Sequence, residues 1–543
     1  MNYGFVIDNR KCIGCHACTV ACKSEHDIPI GVNRTHVKYV EKGVFPNTRR
    51  TFTVTRCNHC ETAPCAEICP TSALFTRSDG IVDFDSDRCI ACKSCMQACP
   101  YDALYIDPAT QTAAKCNYCG HRVDNGFEPA CVIVCPVEAI ISGDLDDPEA
   151  KISRLISREQ TSLRKPEKNT SPNVFYIDGD HQALDPLATE PSDAYLFMDQ
   201  AHGVGHFARY AEDRLSRAAS EDIFVPGQED SDGGGVLLAG AISVSQRAID
   251  DVTREIQEER RGTEARRVYD TPDKGVLWGW QVPAYIWTKA VATGTFMVLI
   301  LAGLLGDQPS VGDSLAALLT AIVFLGATAG LLVYDLDRPE RFLYVLLRPN
   351  WQSWLVRGAY GISVFGLLVS LMLLALVQGW GTLYRWLMWP SFGFALLGST
   401  YTAFLFAQAK GRDLWQSPTS AFRMLNQAML CGCVVLIWIQ DGFYAPLRPL
   451  LIGGLLLNLA LLLAEVWTPH GTRDAARAAK MMTSGIHGLY FLSGLVLGTI
   501  FPMIVLLVGA PYLLVLFCGV MIMGGIYLTE YVWVRVPQLI PLA

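Results

Sequence analysis

The chain has 543 residues, 51% of them hydrophobic, and a formal net charge of -8. That length allows two or three domains, and the hydrophobic share is too high for an ordinary soluble protein of this size. Net negative charge with no Lys/Arg cluster excludes a phosphate-tracking face, so no nucleic-acid partner is expected.

The apolar residues are unevenly spread. Up to about residue 275 the sequence is polar and charged; from Gln281 onward it is a series of long apolar runs broken by short charged loops, so the second half is expected to lie in a membrane. Residues 1–13 lack the apolar core of a signal peptide and run straight into the first cysteines, which leaves the soluble half expected in the cytoplasm.

Of 19 cysteines, 16 fall between Cys12 and Cys135, a density that means a disulfide scaffold or a metal domain. They form four groups, each opening with C-x2-C and closing with C-x3-C: Cys12, Cys15, Cys18, Cys22; Cys57, Cys60, Cys65, Cys69; Cys89, Cys92, Cys95, Cys99; and Cys116, Cys119, Cys131, Cys135. The first and third have the ferredoxin spacing, in which three thiolates on one tight loop cover three corners of a cubane and the fourth points to a neighbouring cluster. Pro70, Pro100 and Pro136 follow the last cysteine of their groups, as in ferredoxin runs, whereas Lys23 takes that place in the first. Zinc is the rival metal, but a zinc site of two C-x2-C pairs gives no reason for the C-x3-C element after each pair. Strand-like segments at 5–8, 81–84 and 104–107 flank the groups, as small antiparallel sheets would.

The motifs CNHCETAPC at 57–65 and EPAC at 128–131, continuing to Cys135-Pro136, resemble the four-cluster subunits of molybdopterin oxidoreductases, a class that includes the polysulfide, dimethyl sulfoxide and nitrate reductase complexes. The resemblance covers roughly residues 1–180. It implies an α+β fold of two ferredoxin-like two-cluster units, with the first motif paired to the fourth and the second to the third. One [4Fe–4S] cluster would then use Cys12, Cys15, Cys18 and Cys135, and its neighbour Cys22, Cys116, Cys119 and Cys131. The other pair would use Cys57, Cys60, Cys65 and Cys99, and Cys69, Cys89, Cys92 and Cys95. Spacing alone requires only that groups be paired; the resemblance supplies the partners. It also places the cluster of Cys12 toward a catalytic subunit and that of Cys69 and Cys89 toward the membrane. Lys11, Lys23, Lys93 and Lys115 are candidates for raising cluster potentials, with solvated surface lysine as the plainer reading.

From about 144 to 274 the cysteines stop and the composition turns to Asp, Glu, Arg, Ser and Gly, with three glycines at 233–235, so residues 181–275 are read as a charged linker. Residues 173–177 are expected as a last strand of the cluster domain and 249–267 as a charged helix. His202 and His206 have a metal-pair spacing but no neighbouring ligand to complete a site.

Residues 276–543 contain eight apolar runs, at 282–305, 314–334, 358–377, 387–409, 424–440, 449–467, 485–509 and 511–531, which predict an all-α bundle of eight transmembrane helices. The loops facing the cysteine domain carry eleven Lys or Arg, against Arg385 and Arg448 on the other side, which puts that domain on the cytoplasmic face of an inner membrane. The segments DLDRPERFLY at 335–344, RPNWQSWLVR at 348–357 and AKGR at 409–412, with Tyr401 and Ser417-Pro418, resemble the polysulfide reductase membrane subunits of the NrfD type. That resemblance implies a haem-free anchor that binds menaquinone or ubiquinone. The sequence also argues against haem, since a pair of b haems needs four histidines within helices and this half has only His470 and His487.

Ionisable and hydrogen-bonding residues at the cysteine-domain side of the helices are candidates for the quinone pocket or a proton relay: Tyr285, Lys289, Asp335, Arg357, Tyr401, Glu465 and His487. Snorkelling, loop pairing and aromatic-belt roles are the plainer alternatives, and Trp351, Trp354 and Arg357 are read first as scaffold. Gln408, Asn426 and Asn458 are deeper polar positions that a proton pump would use and that helix packing explains as well. Cys431, Cys433 and Cys518 lack ligand spacing and read as core.

The expected function is an electron-transfer and membrane-anchor subunit passing electrons between a molybdopterin-containing catalytic partner and the quinone pool through four [4Fe–4S] clusters. It has no terminal substrate pocket of its own. The alternative is a subunit of a quinol-oxidising supercomplex resembling alternative complex III, with further partner subunits and coupled proton translocation.

Overall fold

The computed structural model describes residues 1–43, 47–189, 265–270, 274–304, 309–440, 444–509 and 511–542. The glycines at 233–235, the His202/His206 pair and most of the expected 249–267 helix lie outside the described residues. The described end of that segment, Ala265–Tyr269, is a strand, in contrast to the helical expectation, because it finds a partner edge in the cysteine domain.

The N-terminal region is built on small sheets. Its strands in chain order are β1 (Tyr3–Asp8), β2 (Thr35–Lys42), β3 (Arg49–Arg56), β4 (Leu74–Thr76), β5 (Val82–Phe84), β6 (Leu104–Asp107), β7 (Thr112–Lys115), β8 (Ile140–Asp144), β9 (Thr161–Ser162), β10 (Val174–Ile177) and β11 (Ala265–Tyr269). Sheet order is β8-β1-β10-β9 in one sheet and β11-β2-β3 in a second, with β4-β5 and β6-β7 as two-stranded pairs. Phe5, Val6 and Ile7 are fully buried, so β1 is covered on both faces. It pairs parallel with β10, which is the expected last strand, and antiparallel with β8.

Eight long helices follow among the described residues: Gln281–Leu304, Val311–Tyr334, Trp354–Val377, Gly381–Gln408, Ser420–Ile439, Tyr444–Trp467, Gly485–Val508 and Tyr512–Arg535. Seven of the eight runs are long and apolar enough to cross a membrane. The remaining one, the fourth, has the length, but Arg385 and its Ser, Thr and Tyr residues make it more polar. Several helices start about a turn before the apolar runs, because their first turns carry polar residues that anchor to loops. Arg423 is the important case: the loop charge count includes it, yet it lies inside the fifth helix and is 1% exposed.

The first helix is the axis of the bundle, packing on the second, fourth, fifth and eighth. Glycine permits its approach to the fifth: a Cβ on Gly294 would stand 1.7 Å from the Ala428 carbonyl oxygen, and one on Gly432 2.2 Å from that of Gly294. Small residues of this kind bring helices together where water supplies no hydrophobic drive. The seventh helix contains a π-turn, Val496–Ile500, just before Pro502, and crosses the eighth at Gly498 and Gly525. Gly294→Val is expected to force the first and fifth helices apart and to cost about 1–3 kcal/mol, measured as a lower melting temperature of the detergent-solubilised protein.

Candidate functional site

The cysteines of each motif are turned inward by unusual backbone. Gly14 and His16, His59, Ala91 and Lys93, and Tyr118 and Cys119 all have positive φ, so each loop curls around its thiols rather than extending. At Gly14 a side chain is also excluded, since a Cβ would meet the Phe52 ring at 2.5 Å. Short helices then carry the later cysteines: Pro64–Ile68 holds Cys65, and Ser94–Ala98 holds Cys95.

The sulfurs gather in sets drawn from different motifs. Cys69, Cys89, Cys92 and Cys95 line one cavity, and Cys22, Cys116, Cys119 and Cys131 line another. Cys57, Cys60, Cys65 and Cys99 are buried together in one core, and Cys12, Cys18 and Cys135 pack in another. None of the cysteines is in a disulfide. Among the described residues no three Cys, His, Asp or Glu side chains close on a single metal ion. Thiols spread around a cavity suit a polynuclear cluster better than one zinc ion.

Electrostatics favour the same occupant. Burial pushes the Cys57 thiol up to about 11 and those of Cys18, Cys92 and Cys119 up to about 12. Such sulfurs hold their protons at neutral pH unless iron takes the proton's place. Backbone N–H groups already point at the sulfurs, from Ala91 and Ala113 to Cys89 at 3.4 Å and from Ala139 to Cys135 at 3.3 Å. Arg56, 2% exposed, donates to the Cys131 sulfur at 3.1 Å and lies 4.4 Å over the Phe5 ring. Its Nε and Nη2 have no hydrogen-bond partner among the described residues. A guanidinium buried without a carboxylate is costly, and an anionic iron–thiolate group beside it removes that cost. Lys115 is likewise fully buried, donating to the Cys116 carbonyl at 2.8 Å, so it is not the surface lysine of the plainer reading.

The second and third motifs are docked on the membrane half. Asn350 Nδ2 donates to the Cys69 carbonyl at 2.8 Å, Ser353 to that of Ile68 at 2.7 Å, and Arg341 to that of Cys89 at 3.1 Å. Trp278 Nε1 donates to the Cys92 carbonyl at 3.2 Å, and Lys93 pairs with Asp337 at 2.9 Å. Gly411 of the AKGR segment passes so close that a Cβ there would meet the Gln97 and Cys99 carbonyls at 2.6 and 2.8 Å. Arg412 then donates to Gln97 Oε1 at 2.9 Å and to the Pro537 and Ile540 carbonyls.

Beneath this contact one apolar core runs continuously from Cys69, Cys95 and Cys99 to Tyr285 and Phe406. Tyr285 is buried one turn before Lys289 on the first helix, and Lys289 lies 4.4 Å from the Tyr401 ring centroid while donating to Thr402 Oγ1. Tyr401 fits because Gly358 faces it; a Cβ there would overlap the ring at 2.0 Å. The other candidates go elsewhere. Arg357 is exposed, bonded to the Trp351 carbonyl at 2.7 Å and placed over the Trp354 ring. His487 is half-buried at the start of the seventh helix, which packs chiefly on the eighth. Glu465 is buried against Arg423 and Trp533. Gln408 bonds at the docking contact, to the Gln352 carbonyl at 2.8 Å and Glu67 at 3.3 Å, while Asn426 and Asn458 make packing bonds between helices, Asn458 to Thr499 at 3.0 Å.

Comparison with known proteins agrees with this architecture. Residues 48–145 match a family described as a 4Fe-4S dicluster domain, and 271–535 one described as polysulphide reductase, NrfD. A tetrathionate reductase subunit of Salmonella typhimurium is 43% identical over 189 residues, which are 34% of this chain and 76% of that protein. A component of the polysulfide reductase of Wolinella succinogenes is 41% identical over 178 residues, 32% of this chain and 93% of that protein. The iron-sulfur subunit ArrB of the arsenate respiratory reductase of a Shewanella species is 36% identical over 225 residues, 33% of this chain and 96% of that protein.

The chain belongs to the family of reductase iron–sulfur subunits. It carries in the same polypeptide a membrane domain of the polysulfide reductase type, and so is an electron-transfer subunit with its own anchor.

Sequence reading missed two residues of the helical half, Arg423 and Glu530. They pair inside the bundle and are 1% and 0% exposed. A charge within an apolar run was the available signal for Glu530. Arg423 gave none, because it precedes the apolar run. For the iron–sulfur half the measurable residue is Arg56. Arg56→Met is expected to lower the reduction potential of one cluster by a few tens of millivolts, since a nearby positive charge favours the reduced form, as read by a redox titration followed by EPR.

Proposed function

We propose that the chain passes electrons between a molybdopterin-containing catalytic subunit and membrane quinone through four [4Fe–4S] clusters. The ligand sets are Cys12, Cys15, Cys18 and Cys135; Cys22, Cys116, Cys119 and Cys131; Cys57, Cys60, Cys65 and Cys99; and Cys69, Cys89, Cys92 and Cys95. One-electron transfer is the chemistry that the clusters supply when bound. The observation that carries the reading is the docking of the Cys69 and Cys89 loops on residues 335–357, above an apolar core that continues to Tyr285.

In this reading Lys289 and Tyr285 donate hydrogen bonds to a quinone carbonyl, Tyr401 packs against the ring, and Asp335 stands at the pocket's mouth. A donor there stabilises charge as the quinone is reduced and supplies the proton that follows. The eight helices together form the membrane bundle, without haem, and the iron–sulfur half faces the cytoplasm, where the positively charged loops are. The Cys12 end, far from the anchor in the ligand order, is free for the catalytic partner.

Purifying the complex from its native membrane tests the partner: a co-purifying large subunit containing molybdenum or tungsten is expected, and its absence overturns that part. For the quinone site, Lys289→Met should slow reoxidation of dithionite-reduced clusters by a quinone analogue about a hundredfold while leaving the cluster EPR spectra unchanged. A wild-type rate removes Lys289 from the pocket.

A further inference from the structure

The bundle holds a charge cluster that electron transfer does not use. Arg423 Nη1 donates to Glu530 Oε1, Arg423 Nε stands 3.4 Å from Glu465 Oε2, and Trp533 Nε1 donates to Glu465 Oε1. Arg423 also lies 4.4 Å from the Trp533 ring centroid. Glu530 lies on the eighth helix, which packs on the first, where Lys289 sits. Two carboxylates and a guanidinium thus meet between the fifth, sixth and eighth helices, beside the first. A purely structural role explains this poorly, because a well-packed apolar substitute is commonly as stable as a buried ion cluster.

Glu465, 6% exposed, lies at the edge of the bundle. It forms part of the wall of a cleft of about 580 Å3 between residues 167–169, the loop after the fourth helix and the loop after the sixth. The charged and titratable groups facing it there are Glu167, Lys168, Lys410, Asp413 and His470, with Lys168 paired to Asp413. The inner end is polar as well: Glu530 Oε2, Arg423 Nη2 and Gln427 Nε2 are buried and lack hydrogen-bond partners among the described residues. Buried atoms of this kind are commonly bridged by water.

We infer that this cleft is the proton inlet of the quinone site, with Glu465 taking protons from it and Glu530 delivering them to Lys289. The inference rests on the quinone reading above and extends it. Reduction of a quinone takes two electrons from the iron–sulfur side and two protons through Glu465; quinol oxidation returns both by the same routes. Arg423 acts as a positioning residue, holding both carboxylates in reach of one another.

The purified complex tests this by stopped flow, with a water-soluble naphthoquinone added to dithionite-reduced protein and a pH-indicator dye reporting proton uptake. Glu465→Gln, which keeps the acceptor for Trp533, is expected to slow cluster reoxidation and proton uptake about a hundredfold. Glu465→Asp should recover much of the rate, and cluster EPR spectra should not change. Thr468→Trp narrows the exposed wall of the cleft without touching the charge cluster, and should slow both signals and raise the solvent deuterium isotope effect. It decides the matter if Glu465→Gln does not fold. Wild-type rates and isotope effect in Thr468→Trp, or wild-type rates in Glu465→Gln, overturn the inlet, and a slow Lys289→Met alongside them leaves the quinone site standing. Wild-type rates in Lys289→Met as well overturn both.

Discussion

Asn350 donates from its side chain to the Cys69 carbonyl at 2.8 Å and from its backbone to that of Pro70 at 2.9 Å, and the electron path depends on this clamp. Electron transfer weakens steeply with separation, so a redox centre on a mobile loop would conduct unevenly. Loops are the least stable parts of a fold unless their backbone is bonded. Here the membrane half bonds the main chain around the cysteines, through Asn350, Ser353, Arg341 and Trp278, and leaves the sulfurs to their own cavity. Main-chain carbonyls are suitable targets because they are present whatever the side chain and are fixed by the same turns that aim the thiols.

The second recurring constraint is charge in a low-dielectric interior. Arg56 and Lys115 are buried beside cysteines with few or no acidic partners, whereas Arg423 is buried beside Glu465 and Glu530. The difference follows from what each region holds. An iron–thiolate group carries its own negative charge and needs cations around it. The membrane half instead supplies both signs itself, Arg423 against Glu465 and Glu530. The two halves therefore solve the burial of charge in opposite ways, and one continuous apolar core joins them at Tyr285.

Much of this was legible in the sequence, for identifiable reasons. Cysteine spacing is local, so the four motifs and their turns could be read directly, and apolar runs of spanning length marked the eight helices. Residues 335–357 stand out as a motif, but the role of Asn350 is invisible there because its partners lie about 280 residues away. Hydropathy assigns Arg423 to a loop, since it cannot distinguish a helix's polar first turn from the segment before it. Glu465, conspicuous as a helix-end carboxylate, belongs to a cluster whose other members come from two further helices. Arg357, conspicuous for the same kind of position, faces outward, since a helix end has an exposed side as well as a buried one.

Carrying both halves on one polypeptide makes their docking intramolecular, and a tether of suitable length gives an effective concentration in the millimolar range. The chain goes further than a tether. β11 joins the β2 edge, Lys274 pairs with Asp102 at 2.8 Å, and Trp278 reaches Cys92, all before the first helix begins at Gln281. The polypeptide is therefore fixed to the iron–sulfur half immediately before it enters the bundle. At the other end Gln538 accepts from Gln97 and from the backbone of Leu277 and Trp278, and the Leu542 carbonyl accepts from Arg164. Both ends of the membrane half are thus stitched to the same surface. That arrangement explains how polar bonds can serve around the shared apolar core: they need only orient two parts that the chain already holds together, rather than capture a free partner.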